Sequence, residues 1–379
     1  MGPKMLELKF RDKLENQIPG QACCNVPLKN TPAWVSGNIV TPIGSVLRVS
    51  SVLSATDYWE HFKCRTTSYR NDYTVNPGLY AVGDPGKNSH VLVTANYKYS
   101  FDTLRSELEG LDAWILVLDT KGINVWCAAG KGTFGTAELV KRISAVQLDK
   151  VVAHRQVIVP QLGAPGVSAF RVKQTAGFKV LYGPVRAKDV PAYINEGYKA
   201  TREMRRVKFS LSDRLVLTPM EINPAMKKFP LYAALVLVLF GLSPSGIMFK
   251  DAFTGGLPFL FLGLVSVFSG ALLTPALLPY VPFRSFAVKG WITGLLSVFL
   301  STKFVPLLNQ QNIFLLIVTY LFFPQASSYI ALQFTGSTTF TGMSGVKREL
   351  RIAIPTYLVS CAVSLILLVM YKFTMWGVI

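Results

Sequence analysis

The sequence predicts an α/β domain of the Rossmann-like type followed by an all-α transmembrane domain of five helices. Three observations predict this fold class. Strand-like apolar runs alternate with helical stretches between residues 90 and 160, the chain becomes almost continuously apolar after residue 228, and half of its 379 residues are hydrophobic. We therefore expect the first part of the chain to face water and the second part to face lipid.

Two apolar runs predict buried strands of a parallel sheet. They are HVLVTA, residues 90–95, and WILVLD, residues 114–119. Between them, Phe101, Leu104 and Leu108 fall on one face of a helix, as expected for an amphipathic connection between two strands. This β–α–β succession indicates a doubly wound sheet, in which ligands bind at the carboxyl ends of the strands.

The alternation continues further along the chain. We expect a helix at residues 136–143, followed by strands at 151–153 and 157–159. The predicted organisation is an N-terminal segment that packs on the soluble domain (1–65), an α/β domain (66–225) and a transmembrane domain (226–379).

Five apolar segments are each long enough to cross a bilayer, which takes roughly 17–25 residues. Basic residues collect on one side of them, for example Lys227, Arg284 and Arg348. The positive-inside rule then predicts a multi-pass protein of the cytoplasmic membrane, with the soluble domain and the N-terminus in the cytoplasm. The opening residues also lack the apolar core of a secretory signal. The expected spans are 230–249, 253–273, 286–302, 313–334 and 352–372.

Composition argues against several classes of function. The net charge is +18, but no arginine-rich helix accompanies it, so we expect attraction to anionic lipids and no binding of nucleic acid. The apolar segments hold almost no ionisable residue, which disfavours a transport pathway. The five cysteines and three histidines show no spacing of a disulfide framework, zinc site or iron–sulfur site. Only a loose site for a soft metal at the adjacent Cys23 and Cys24 stays open.

The stretch GINVWCAAGKGTFGT, residues 122–136, follows the second strand and so lies at the expected ligand edge. It is not a P-loop, because Val125 stands where the first glycine belongs and Gly132 where a serine or threonine belongs. GKGTFG matches the dinucleotide fingerprint, but that motif opens a helix directly after a strand, and here about ten residues intervene. A phosphate-binding role is therefore disfavoured.

Cys127 has a different local setting. Asn124 is a good N-cap, and residues 125–129 can form a short helix that Gly130 ends. Cys127 would then lie in the first turn, where the helix dipole favours a thiolate that could be a metal ligand or a nucleophile. A single cysteine is also often a small buried hydrophobe, and spacing alone leaves both interpretations open.

Several motifs resemble the corrinoid-binding domain of corrinoid iron–sulfur proteins. More closely, NVWCAAGK, residues 124–131, resembles the signature of the HgcA family, the membrane-bound corrinoid proteins of microbial mercury methylation. The resemblance covers residues 66–197, and the five-span tail matches that family's layout. The chain departs from the corrinoid iron–sulfur proteins in lacking their N-terminal cluster-binding cysteines. The other matching segments are NPGLYAVGDPG (76–86), VLVTANYKYSFDTLR (91–105), PQLGAPGV (160–167) and YGPVRAKDVP (182–191).

The resemblance implies a cobalamin-dependent methyltransferase that passes a methyl group from a cysteine-ligated corrinoid to Hg(II), forming methylmercury. Cys127 would be the catalytic residue and the lower axial ligand of cobalt, on a cap helix of residues 124–131. The alternative is a membrane-anchored corrinoid methyl carrier of one-carbon metabolism, similar to the acetyl-CoA pathway, with another acceptor. The implied cofactor-binding residues are Asn124, Val125, Trp126, Cys127, Ala128, Ala129, Gly130, Lys131, Gly132, Thr133 and Thr94.

Partners are also implied by the resemblance. An HgcB-like ferredoxin carrying 4Fe-4S clusters would supply electrons. A methyl-donor protein or a methyltetrahydrofolate-linked enzyme would supply the methyl group. Trp126 and the small residues that follow it would allow close approach to the corrin ring, and Lys131 would either reach a polar group of the cofactor or remain solvated.

Overall fold

The computed structural model describes residues 32–308, 312–337 and 343–378. They form two compact units, one up to Val207 and one from Lys208 onward, apart from residues 65–67, which group with the second unit. Each unit is described separately below.

The division between the units comes earlier than the sequence-based limit at residue 225. Helix Thr218–Gly241 runs through that position without a break. Its two prolines, Pro224 and Pro230, lie inside the helix and do not end it. Composition alone placed the limit at the start of the apolar run, whereas the helix that carries this run begins several residues earlier.

A seven-stranded mixed sheet forms the centre of the first unit, with the strand order β1-β2-β3-β5-β4-β6-β7 along the sheet. Strands β4, β5, β6 and β7 are mutually parallel, β2 is parallel to β3, and the pairs β1–β2 and β3–β5 are antiparallel. The α/β fold class is confirmed, but the sheet is mixed. The strands are β1 (Val35–Thr41), β2 (Gly44–Val49), β3 (Gly78–Val82), β4 (His90–Ala95), β5 (Ala113–Leu118), β6 (Gln156–Val159) and β7 (Lys179–Tyr182).

Helices cover both faces of this sheet. Alternate strand residues point to opposite faces, so that Val91 and Val93 enter one core and Leu92 enters the other. The helices are α1 (Ala55–Thr66), α2 (Lys98–Ser106), α3 (Val125–Lys131), α4 (Thr136–Ala145), α5 (Leu148–Val151), α6 (Ala169–Ala176) and α7 (Val190–Asn195). The first core also contains residues of α3, α4, α5 and α6, and the second contains residues of α2 and α7.

Two parts of this unit differ from the sequence-based expectation. Strands β1 and β2, which fell within the segment expected to pack on the domain, extend the central sheet itself through pairing of β2 with β3. Residues 151–153 were expected to form a strand, and this is wrong. The helix α5 ends at Val151, and the buried Val152 continues without strand pairing. Packing of Leu148, Val151 and Val152 into the first core outweighs their strand preference.

The second unit is helical. Its helices are α8 (Leu211–Leu215), α9 (Thr218–Gly241), α10 (Phe249–Phe268), α11 (Thr274–Leu277), α12 (Phe286–Phe304), α13 (Ile313–Gln333) and α14 (Met343–Met375), with a π-helical turn (Ser269–Leu273) and a two-stranded hairpin of β8 (Leu242–Ser243) and β9 (Gly246–Ile247). The first expected span, 230–249, therefore ends early, because the chain turns at this hairpin.

Four helical segments of the described chain are long and apolar enough to cross a membrane, judged by length and composition. The expected count of five is not confirmed. The expected third span does form a helix, α12, but its two lysines, Lys289 and Lys303, lower its apolar character. The four segments are Leu211–Gly241, Phe249–Leu277, Ile313–Gln333 and Ser344–Met375.

Two lysines are buried inside the second unit. The ammonium of Lys372 donates to the carbonyls of Phe240 (2.6 Å) and Leu242 (3.0 Å), at the carboxyl end of α9. The ammonium of Lys289 donates to the carbonyl of Leu278. Both charges therefore satisfy backbone carbonyls near helix ends, which is a structural use of lysine.

Candidate functional site

The helix α3 carries the cysteine that the sequence singled out. Asn124 caps it, since its side-chain oxygen accepts the backbone N–H of Cys127 at 2.9 Å. The helix continues two residues further than expected, to Lys131, and ends at Gly132 in the left-handed conformation (φ 82°). Gly130 was expected to end the helix and instead lies inside it. The next glycine, Gly132, adopts the left-handed conformation that commonly ends a helix.

The two faces of α3 have different surroundings. Val125, Ala128 and Ala129 are buried in the core beneath the helix. On the other face, Trp126 and Gly130 are exposed one turn apart. The half-buried Cys127 and the exposed Lys131 form a second pair with the same spacing. We call these four residues the open strip of α3, and the cysteine lies in its first turn.

Asn96 fixes the loop that leads into α3. Its side-chain oxygen accepts three hydrogen bonds, from the backbone N–H and the hydroxyl of Thr120 (3.0 and 2.8 Å) and from the N–H of Gly122 (3.0 Å). The hydroxyl oxygen of Thr120 also lies 2.7 Å from the carbonyl oxygen of Ile123. Asn96 directly follows β4, so this contact ties the start of α3 to the carboxyl end of the neighbouring strand.

Gly166 supports α3 from below. A Cβ atom at this position would collide with the carbonyl oxygen of Phe134 and would stand 3.2 Å from Cα of Ala129. We expect Gly166→Ala to displace α3 and to destabilise the α/β unit by about 1–3 kcal/mol, since backbone atoms cannot rotate away. Thermal unfolding would measure this. Gly86→Ala is the control, because nothing lies within 4 Å of its added Cβ, and equal melting temperatures would contradict the expectation.

A cavity of about 300 Å³ lies beside α3. It opens at the carboxyl ends of β4, β6 and β7. After β4 the chain forms β5 on one side of that strand and then crosses over to form β6 on its other side. Such reversal points are where open α/β sheets bind ligands. The lining is largely apolar, with hydroxyl groups on one wall. It includes Leu92, Val93, Thr94, Tyr99, Ser100, Thr103, Leu104, Asn124, Val125, Trp126, Ile158, Pro160, Leu162, Gly183, Pro184, Val185, Ala187 and Val190.

The structure brings together only part of the expected site. Thr94, Asn124, Val125 and Trp126 line the cavity. The others lie outside the lining: Cys127 and Lys131 on the open strip with Gly130, Ala128 and Ala129 in the core, and Gly132 and Thr133 at the helix end. Cys23 and Cys24 fall outside the described residues. The described residues contain no group of three histidine, cysteine or acidic side chains placed to share a metal ion.

Sequence analysis missed one wall of the cavity. Tyr99, Ser100 and Thr103 on α2 face it, together with Leu104. The sequence does contain an indication of this wall, because Tyr99 and Thr103 are four residues apart and so share a helical face. The apolar residues Phe101, Leu104 and Leu108 form a more obvious helical face than these hydroxyl groups do.

A buried cluster of ionised side chains holds α2 in position. The Lys98 ammonium contacts Asp57 at 3.0 Å and Asp102 at 2.7 Å, and the Arg105 guanidinium contacts the same two carboxylates at 3.0 and 2.7 Å. All four side chains are almost inaccessible to solvent. The cluster joins α1 to the helix that forms one wall of the cavity.

Neutral and titratable groups complete this cluster. The Tyr73 hydroxyl donates to Asp102 at 3.0 Å, and the Nε2 of His61 lies 3.0 Å from the same carboxylate. Burial alone would raise the pKa of Asp102, but the hydrogen bond with His61 and the charge of Lys98 outweigh it and lower that pKa. At Asp57, burial is likewise outweighed by the Ser54 N–H and the Lys98 ammonium, so its pKa is also lowered.

Acid is expected to destabilise the α/β unit through these carboxylates. Their pKa values are lower in the folded than in the unfolded chain, where aspartate titrates near about 3.9. Their contribution is therefore present above about pH 4 and is lost as the pH falls through the folded values. Urea unfolding of the full chain in detergent, followed by tryptophan fluorescence, should give a lower free energy of unfolding at about pH 3 than at about pH 7. No decrease would contradict this.

The three histidines lie away from α3. His61 belongs to the buried cluster, the Nδ1 of His90 is 2.9 Å from the hydroxyl of Tyr198, and the Nε2 of His154 donates to the carbonyl of Ser89 at 2.8 Å. The structure therefore places no histidine where it could act as a base for Cys127 or share a metal with it.

Comparison with known proteins finds similarities over the first part of the chain. Residues 25–194 match the family model of the CO dehydrogenase/acetyl-CoA synthase delta subunit (CdhD). The apolar helices from residue 211 onward lie outside this match.

The curated relatives are gamma subunits of acetyl-CoA decarbonylase/synthase complexes, whereas the matching family model is named for a delta subunit. The chain is 30% identical over 134 residues to the acetyl-CoA decarbonylase/synthase complex subunit gamma of Archaeoglobus fulgidus, which covers 35% of this chain and 28% of the relative. For the gamma subunit of Methanopyrus kandleri the identity is 33% over 137 residues, with 35% and 29% covered. For that of Methanothermobacter thermautotrophicus it is 26% over 202 residues, with 51% and 40% covered.

The matches are confined to part of each protein. The chain spans between 28% and 40% of the length of these three relatives. Over its α/β unit, the chain is thus similar to subunits of acetyl-CoA decarbonylase/synthase complexes.

Proposed function

We propose that this chain is a membrane-attached corrinoid protein that carries a methyl group, with Cys127 as the residue that would bind the cobalt. The observation that carries the proposal is the open strip of α3, which presents a half-buried thiol at the ligand edge of the sheet. Similarity to acetyl-CoA decarbonylase/synthase subunits over this unit supports it. The four apolar helical segments support attachment to a membrane.

The residues present fit a corrinoid. A thiolate is a soft donor of the kind that transition metals accept. Gly130 has nothing within 4 Å of the position of a Cβ atom, so a flat ring can lie close to this face of the helix. The cavity of about 300 Å³ is at the lower end of the range for small-molecule sites. A corrinoid is a large cofactor, so only one of the groups attached to its ring would enter this cavity.

Each residue of the site has a distinct part in this proposal. When bound, the corrinoid supplies a cobalt atom that can accept and release a methyl group. Cys127 would hold the metal, and Asn124 fixes the first turn that carries this thiol. Trp126 covers the edge between the open strip and the cavity. Thr94 would offer a hydrogen bond to polar groups that enter the cavity, and the Thr103 hydroxyl, which donates to the carbonyl of Tyr99, would accept one.

The methyl acceptor has two candidates. The comparisons favour a carrier role in one-carbon metabolism, since the curated relatives are subunits of acetyl-CoA decarbonylase/synthase complexes. Under this proposal the partners are a methyl-donor protein and an acceptor enzyme of that class.

Hg(II) is the second candidate, and the thiol of Cys127 favours it. A thiolate is a more electron-rich ligand than nitrogen or oxygen, which suits transfer of a methyl group to a soft, electron-poor cation. Methylmercury would be the product, and a ferredoxin with 4Fe-4S clusters would restore the reduced cofactor after each turnover. The soluble unit would then face the cytoplasm, where such a ferredoxin is found.

Anaerobic purification of the full chain from a cobalamin-supplied host tests the proposal. We expect one corrinoid per chain, and no bound corrinoid would contradict both acceptor candidates. The loaded protein, supplied with a reduced ferredoxin, is then offered Hg(II) or an acetyl-CoA decarbonylase/synthase acceptor. Formation of methylmercury identifies Hg(II) as the acceptor, and methylation of the acceptor enzyme identifies the carrier role in one-carbon metabolism.

Gly130→Ala separates cofactor binding from folding. Because Gly130 lies inside α3 with open space around it, alanine should stabilise the unit by roughly 0.5–1 kcal/mol. The added methyl group stands on the open strip, so we expect corrinoid retention to fall. Retention measured by absorbance, beside the melting temperature, checks this. Unchanged retention would show that the ring does not lie against this face.

A further inference from the structure

A second cavity, of about 760 Å³, lies in the second unit between the first turns of α12 and α14. Both helices begin at this end of the unit, and the last turns of α13 close the cavity from the side through Gln325 and Ser328. The volume falls within the range of small-molecule sites. The function proposed above makes no use of this cavity, and none of its lining residues belongs to the first unit.

Two arginines give the cavity an excess of positive charge. Arg284 and Arg348 line it, both are exposed, and no residue in the described parts of the chain pairs with either guanidinium. The one acidic group in the lining, Glu349, is already engaged. Its Oε2 accepts the backbone N–H of Phe286 (2.8 Å) and of Ala287 (3.2 Å), at the start of α12. The two guanidiniums are therefore available to an anion.

The lining changes from charged to apolar along the helices. On α14, Arg348 is followed by Ile352 and Thr356, which lie about 6 and 12 Å further along the axis. On α12, which follows Arg284, the lining continues with Val288 and Trp291. The side chain of Ile352 is 66% exposed, so the apolar end opens onto the outer surface of an expected transmembrane helix. An occupant must be charged at one end and apolar at the other.

We propose that this cavity binds the phosphodiester headgroup of an anionic phospholipid between Arg284 and Arg348, with its acyl chains along Val288, Trp291 and Ile352. Arginine pairs phosphate oxygens bidentately, and basic pockets between transmembrane helices bind such headgroups. Trp291 suits the boundary between headgroup and acyl chain. A zwitterionic lipid fits less well, because its own ammonium would meet two guanidiniums. A soluble phosphate would leave the apolar end unused.

Lipid titration of the purified, delipidated full chain tests this site. Native mass spectrometry would measure binding of phosphatidylglycerol, of phosphatidylcholine, and of phosphatidylglycerol in the presence of glycerol phosphate. The variant Arg284→Gln with Arg348→Gln removes both guanidiniums. The matched control is Lys347→Gln with Arg351→Gln, which removes the same charge from the same end of the unit at positions outside the lining.

We expect the first phosphatidylglycerol to bind more weakly to the cavity variant by about tenfold for each arginine removed. The control variant should bind it nearly as the wild type does, and both variants should keep the wild-type melting temperature. Equal losses in the two variants would overturn the site, since they would indicate a general surface field. Equal binding of phosphatidylcholine, or displacement by glycerol phosphate at matching concentration, would overturn the assignment to an anionic lipid.

Discussion

Replacing Cys127 with alanine should abolish methyl transfer and leave the fold intact. The variant removes the proposed direct ligand of the cobalt, and even residues that only hydrogen-bond to a metal ligand change metal affinity or activity by about 10–100-fold. We therefore expect the transfer rate, to Hg(II) or to the alternative acceptor, to fall by more than about 100-fold.

The structure predicts little effect of this change on stability. The Cys127 side chain is only half-buried, and the hydrogen bond from its backbone N–H to Asn124 survives in alanine. Cys361→Ala is the matched control, because that cysteine is exposed in the second unit. Full activity of Cys127→Ala would contradict ligation by the thiolate, whereas equal losses in both variants would point to a nonspecific effect of thiol removal.

Replacing Asp102 with alanine should give the largest loss of stability in the α/β unit. Its carboxylate faces the charges of Lys98 and Arg105 in a setting closed to solvent. Without it, two buried cations share the single carboxylate of Asp57. Removing one partner of a buried pair typically costs about 3–5 kcal/mol, and we expect a value in this range from urea unfolding of the full chain.

A control and a rescue sharpen this prediction. Asp149→Ala breaks a half-exposed pair with Arg155 (3.9 Å) and should cost at most about 1 kcal/mol. The double variant Lys98→Met with Asp102→Leu removes one charge of each sign, so its loss should be smaller than the sum of the two single losses. An Asp102→Ala loss no larger than that of Asp149→Ala would contradict the structural role of the cluster.

Local patterns predicted much of the fold. The apolar runs at β4 and β5 and the cap at Asn124 depend on residues close together in the chain, and the structure confirms them. The end of α3 was misplaced because Gly130 and Gly132 carry the same local signal, and only packing decides between them. Residues 151–153 show the same limit, since the strand preference of Val151 and Val152 yields to their burial in the first core.

Contacts between distant parts of the chain could not be predicted from the sequence. The pairing of β2 with β3 joins segments about 30 residues apart, and no local pattern encodes it. The buried cluster joins Asp57 to Asp102, which are still further apart in the chain. For the candidate site, Cys127 and Asn124 were predictable from neighbouring residues. The cavity wall from α2 required the tertiary fold.

The proposed function depends on cobalt bound by Cys127, and the absorption spectrum of the loaded protein tests this binding most directly. Wild type and Cys127→Ala are purified anaerobically with the same corrinoid supply, and their spectra are compared in the oxidised state. Thiolate ligation predicts a bound corrinoid in the wild type whose bands shift in the variant. Identical spectra, or no corrinoid in the wild type, would contradict binding of cobalt by Cys127.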